Sequence, residues 1–106
     1  MRALKTAGHE VFILTGALPH TVGGDPQWRL HQLQELGVTQ EDFTQMVIAM
    51  DTSFDGVGLK KGEFCATQNV QLMVEDTPLF LEGIAKKSPH TVRVLVTNNL
   101  EVAHGR

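Results

Sequence analysis

The sequence predicts an α/β fold: a mainly parallel, Rossmann-like sheet of about four strands, sandwiched as the middle of three layers between helices. Two observations carry this. Short apolar runs, "EVFIL", "FTQMVIAM", "VQLMV" and "TVRVLVT", alternate with segments whose apolar residues recur at helical spacing. Near-continuous apolar runs are the mark of strands buried on both faces, and parallel neighbours need a crossover between them, usually a helix. The chain has 106 residues, 42% of them hydrophobic, which fits a single small domain (1–106) of limited stability.

The elements follow in order. "MRALKTAG" reads as a helix end, with Gly8 free to take the left-handed cap, and "EVFIL" is the first strand, stopping at "TGALPH". Asp25-Pro26 supplies an N-cap and a proline at the first helical position. The helix it opens has Leu30, Leu33 and Leu36 at helical spacing, with Trp28, as core candidates and Gly37 as its stop. "VTQEDF" predicts one short turn between Thr39 and Asp42, and "FTQMVIAM" is a second strand ending at Asp51. "DTSFDGVGLKKG" reads as a loop, "EFCATQ" as a short helix and "VQLMV" as the third strand. "PLFLEGIAKK" is a helix capped by Asp76 or Thr77 with Pro78 at its start, and "TVRVLVT" is the fourth strand.

Composition narrows the function classes. Twelve acids against nine bases leave a net charge of −3, so no global basic field attracts nucleic acid or an anionic membrane. The single Cys65 rules out an intrachain disulfide framework and suits a reducing compartment. No apolar run approaches the ~18 residues of a membrane span, and the first residues lack a secretory signal pattern. A soluble, cytoplasmic protein is the expectation. In parallel sheets ligands bind beyond the carboxyl ends of the strands, which directs attention to Thr15-Gly16, Asp51, Glu75-Asp76 and Thr97-Asn98.

Two stretches that hold these exits share a pattern. "VFILTG" resembles the second motif of the haloacid dehalogenase superfamily of phosphohydrolases, an apolar strand ending in Thr or Ser. "KGEFCATQNVQLMVED" resembles its third and fourth motifs, a Lys opening a short helix and then a strand ending in paired acids. The resemblance covers nearly the whole chain. It implies that Thr15 and Gly16 bind phosphate through the hydroxyl and nearby backbone N–H groups. It further implies that Lys61, with Lys60 as the less suited neighbour, neutralises charge on the phosphoryl group and the nucleophile as the catalytic cation. Asp76 then holds Mg²⁺, with Glu75 behind it. These residue types suit the chemistry, since a hard cation takes carboxylate oxygens and phosphoryl transfer rests on positioning and charge stabilisation.

One departure dominates. The family's first motif, Asp-x-Asp, supplies the nucleophile and most of the metal site and precedes the helix with which this sequence opens; no Asp-x-Asp occurs in these 106 residues. The expectation is therefore an incomplete or degenerate phosphohydrolase, with the strand between those of Thr15 and Asp76 lacking and the aspartyl-phosphate route closed. Direct pairing of the flanking strands, a homo-oligomer that completes the sheet, or a longer natural chain each resolves the gap. A phosphorylated small molecule or free phosphate is the expected ligand. The alternatives are a non-catalytic phosphate or anion-binding module and a structural or oligomerisation remnant.

Plainer explanations stand beside each residue. Thr15 ends a strand, Lys61 is a solvated loop lysine, and Glu75-Asp76 cap a helix. Cys65 reads as buried, and the five histidines show no metal spacing. "DTSFDG" fits a calcium loop poorly, because the twelfth position, where a bidentate acid belongs, is Gly62.

Overall fold

The computed structural model describes residues 1–96, so the expected strand exit at Thr97-Asn98 and His104 lie outside the described residues. Helices and strands alternate: α1 (Arg2–Thr6), β1 (Phe12–Ala17), α2 (Pro26–Glu35), β2 (Gln45–Met50), α3 (Phe54–Thr67), β3 (Leu72–Glu75), α4 (Pro78–Lys87) and β4 (Val92–Leu95). The four strands are parallel, but they are hydrogen-bonded as two pairs, β1 with β2 and β3 with β4, rather than as one sheet. Each pair is a βαβ unit closed by its own crossover helix, α2 or α4, so each ladder is complete without the other. The chain correspondingly divides into two compact units, Met1–Ser53 and Phe54–Arg106.

In the first unit the turn chemistry follows the sequence closely. α1 ends in a Schellman motif: Gly8 sits at φ +96°, its N–H donates to Lys5 and that of His9 to Leu4. α2 starts with Asp25 accepting from the Gln27 N–H at 3.0 Å and ends in the same motif at Gly37. The leucines of α2 are not core. Trp28, Leu30 and Leu33 are half-buried and Leu36 is 76% exposed, because two strands about 4.8 Å apart present a strip hardly wider than one helix.

The turn before β2 is held by Asp42. Its carboxylate accepts from the Thr39 N–H at 2.8 Å and from the Arg2 guanidinium, which ties α1 to this turn. Asp42 and the adjacent Phe43 are buried.

The second unit departs from expectation at its start. The segment read as a loop, from Phe54, and the short helix after it form one 14-residue helix, α3. Three glycines, Gly56, Gly58 and Gly62, weaken its intrinsic helicity, but two of them make its packing. Gly58 and Gly62 lie one turn apart and face Gly83 of α4. A Cβ added at Gly83 would stand 2.3 Å from the Gly58 carbonyl carbon, and one added at Gly62 would stand 2.6 Å from the Gly83 oxygen. Backbone rests on backbone here, and only glycine permits it.

The contact brings Val57, Cys65 and Ile84 to full burial. α3 closes with a Schellman motif on Asn69, at φ 54°, with the Val70 N–H donating to Cys65 at 2.8 Å. Beyond α4 the buried Thr91 hydroxyl bonds the Ser88 hydroxyl at 2.7 Å and donates to the Val70 carbonyl at 2.8 Å, which pins the α4–β4 turn to the entry of β3. Leu72, Val74, Val92 and Val94, paired in register, are 40–59% exposed.

Two outcomes follow. Gly83→Ala should lower the stability of the second unit by about 1–3 kcal/mol or more in urea melts followed by circular dichroism. Ala is the better helix former by about 1 kcal/mol, so an unchanged or raised midpoint would remove the close-contact explanation. For Asp42 the Thr39 N–H first, and the Arg2 guanidinium second, hold the carboxyl below the ordinary Asp range. A depressed folded pKa contributes stability above the unfolded value of about 3.9 and loses it as pH falls through the folded value. The melting temperature reported by Trp28 fluorescence should therefore separate wild type from Asp42→Asn at neutral pH, and the gap should close below about pH 4.

Candidate functional site

Lys61 is placed by helical phase. Within α3 the residues Val57, Lys61 and Cys65 recur every four positions on the buried stripe, and Lys61 is only 3% exposed while Lys60 beside it is exposed. The geometry thus separates the two lysines. Glu75 is placed by strand phase: β3 alternates, with Leu72 and Val74 outward and Glu75 inward at the last strand position.

The two side chains meet. Lys61 Nζ donates to Glu75 Oε2 at 2.7 Å, with both side chains under 10% exposed, and Nζ stands 4.4 Å from the centroid of the Phe80 ring. The other Glu75 oxygen, Oε1, accepts the Asp76 backbone N–H at 3.0 Å. Phe80 is held in turn against Phe54 with ring centroids 6.3 Å apart. Burying two charges costs several kcal/mol per ion, and the pair, the ring and the backbone N–H offset it.

Asp76 lies one residue beyond β3 and is exposed. It does not cap α4. The N-cap is Thr77, whose hydroxyl donates to Asp76 Oδ1 at 3.1 Å instead of bonding a helix amide. Hydrogen bonding with Glu75, then with the Thr77 hydroxyl, and the nearby Lys61 charge hold the Asp76 carboxyl below the ordinary Asp range. An ionised carboxylate therefore stands at the exit of β3 at neutral pH.

The phosphate-binding candidates Thr15 and Gly16 belong to the first unit. Both are half-buried and lie within β1, opposite Ile48 and Ala49, rather than beyond its end, because the ladder continues to Ala17. The residue that organises this region is Arg29, which sequence reasoning missed. Its Nη2 donates to the Gly16 carbonyl at 2.9 Å and its Nε to the Gly23 carbonyl at 2.8 Å, with the guanidinium 5.4 Å from the Trp28 ring centroid. The loop after β1 is thereby fastened to the strand. An arginine beside the tryptophan in the first turn of a capped helix was the available signal.

Magnesium is tested by the donors present. Glu75 spends one oxygen on Lys61 and the other on a backbone N–H, which leaves the Asp76 carboxylate. No group of three or more His, Cys, Asp or Glu side chains among the described residues is arranged to hold a metal. One carboxylate does not make a Mg²⁺ site by itself.

Other candidates resolve into structure. Asp51 accepts from the N–H and hydroxyl of Thr52, and Asp55 lies in the first turn of α3, so "DTSFDG" does not form a cation loop. Cys65 is fully buried, and burial pushes its thiol up, away from reactivity. His9, His20, His31 and His90 are exposed. An open cleft of about 700 Å³ in the first unit, lined by Leu30, His31, Val38 and Phe43 among others, includes none of the motif residues. Among the described residues no helix is long and apolar enough to cross a membrane. No family model, curated protein or solved structure matches the chain.

The buried pair makes a definite expectation. Lys61→Met alone leaves Glu75 buried and unpaired and should cost about 3–5 kcal/mol in denaturant melts, whereas Lys61→Met with Glu75→Leu should recover most of that loss. Equal losses in single and double variants would mean that the pair is not the source of the cost.

Proposed function

We propose that this chain is an incomplete phosphohydrolase unit of the haloacid dehalogenase type, built around a three-layer parallel sheet and acting on phosphate esters only when a strand bearing the nucleophilic carboxylate is supplied. The observation that carries this reading is the Lys61–Glu75 pair at the carboxyl end of β3, with ionised Asp76 next to it. Ligands of parallel α/β proteins bind at strand ends of this kind. A fold that needed only stability would gain more from apolar residues at 61 and 75, since buried ion pairs rarely outperform them.

In this reading Lys61 is the cation that stabilises charge on the transferring phosphoryl group, and Glu75 is the residue that positions it. The Phe80 ring keeps water from the ammonium. Thr15 and Gly16, in the first unit, are phosphate-binding candidates of β1 by the resemblance alone. Asp76 would contribute one ligand to Mg²⁺ and the remaining carboxylates would arrive with the supplied strand, because the donors present do not hold the ion alone. A cytoplasmic setting suits the single reduced cysteine.

A second reading has its own observation. Lys61 and both Glu75 oxygens are already satisfied within the fold, which is what a structural remnant without phosphate affinity would show.

The experiment uses p-nitrophenyl phosphate with Mg²⁺. The 106-residue chain should show no turnover, and a version extended by an upstream strand ending in Asp-x-Asp should gain turnover that Asp76→Asn reduces at least tenfold. Robust hydrolysis by the unextended chain would refute the missing nucleophile. An extended, folded chain that neither hydrolyses the ester nor shows saturable phosphate-induced shifts at the Thr15 and Gly16 amides would establish the structural reading.

A further inference from the structure

We infer that the Phe80 ring is a shutter on Lys61: it is the neighbour that turns aside when the ammonium takes an anion, so the resting site is closed and Phe80 sets its affinity. That the anion is a phosphoryl group rests on the phosphohydrolase reading of Lys61. Among the described residues the buried ammonium touches two partners, Glu75 Oε2 at 2.7 Å and the Phe80 ring, whose centroid lies 4.4 Å away. A further partner requires one of these to give way. Parting a buried ion pair lowers the population of the parted state by roughly 10²–10⁴-fold, whereas giving up a cation–π contact lowers it by roughly 2–30-fold. Glu75 is also held twice, its Oε1 accepting the Asp76 N–H at 3.0 Å. The ring therefore yields first.

Phe80 is placed to turn without disturbing what holds it. Its backbone is fixed: the Phe80 N–H donates to the Thr77 carbonyl at 3.0 Å, and a Cβ added at Gly58 would stand 3.2 Å from Phe80 Cα, so α3 lies directly against this turn of α4. The ring, by contrast, has no hydrogen-bonding group. It rests on Lys61 and on the Phe54 ring, 6.3 Å away and tilted by 49°. Phe80 is half-buried while Lys61 is buried, which sets the ring outside the ammonium. Rotation about the Phe80 Cα–Cβ bond moves the ring off Nζ and leaves the glycine contact and the Lys61–Glu75 pair as they are. A site open for only a fraction of the time binds more weakly by that fraction, so weakening the ring contact should tighten anion binding.

The test compares the full chain with Phe80→Leu, which keeps an apolar side chain against α3 but removes the π face, and with Phe54→Ala, which leaves Phe80 in place and removes its support. Exchange of the Lys61 ammonium protons with water, read by nitrogen-15 spectroscopy, should be about tenfold faster in Phe80→Leu and rise less in Phe54→Ala, with the circular dichroism spectrum unchanged. Inorganic phosphate should displace the Lys61 resonance at about tenfold lower concentration in Phe80→Leu than in the unsubstituted chain. Exchange that is unchanged in both variants overturns the shutter. Phosphate that displaces the resonance at the same concentration with and without the ring also overturns it, while leaving the phosphohydrolase reading in place. Faster exchange with no response of Lys61 to phosphate in any variant supports the ring as the cover of the ammonium and overturns the phosphohydrolase reading instead.

Discussion

The second unit depends on the approach of two helix backbones at glycine. Gly83 lies so close to Gly58, and Gly62 so close to the Gly83 carbonyl, that no side chain fits between α3 and α4. That approach fixes the phase of α3 against the rest of the unit. With the phase fixed, Val57 and Cys65 enter the core, and Lys61, on the same stripe, has nowhere to go but inward. Glu75, at the inward end of β3, is the acid within its reach. The charge that gives the unit its chemical interest is therefore a consequence of glycine packing, reinforced by the Phe80 ring from α4.

The first unit rests on different means. Its backbone is held by turn chemistry and by two arginines. Arg2 binds Asp42 and so fastens α1 to the turn before β2, while Arg29 bonds two carbonyls and fastens the loop after β1. Its side-chain core is thin: α2 contributes no buried residue, and burial is concentrated in Ala17, Phe43 and Ala49. A two-stranded sheet is marginal by itself, and polar fastening of this kind stabilises it where apolar area cannot.

Where the sequence was legible, local chemistry decided the structure. Gly8, Gly37 and Asp25-Pro26 mark helix ends that any context would respect, because left-handed backbone and a fixed proline φ have few alternatives. The four strands were legible as apolar runs. Where it was not, tertiary packing overrode local preference. "DGVGLKKG" reads as a loop on propensity, yet its glycines are what let α3 exist against α4. Once Phe54–Thr67 is helical the burial of Lys61 follows from its spacing to Val57 and Cys65, so that signal was present but masked by the loop reading. The division into two strand pairs had no local signal, since apolar runs do not name their partners. Of the candidate site, Lys61, Glu75 and Asp76 were named by motif, and the structure joins the first two directly and sets Asp76 beside them. Their engagement with one another, and the role of Arg29, are long-range facts that spacing alone does not carry.

Lys61 is a desolvated ammonium held by Glu75 and Phe80. Nitrogen-15 spectroscopy of lysine ammonium groups reads this directly. Lys61 should give a resolved, slowly exchanging Nζ resonance with contacts to the Phe80 ring protons, and Glu75→Gln should broaden or displace it while the other lysine ammoniums remain unresolved through solvent exchange. A Lys61 ammonium that exchanges with water as fast as that of Lys86, and is indifferent to Glu75→Gln, would contradict the account.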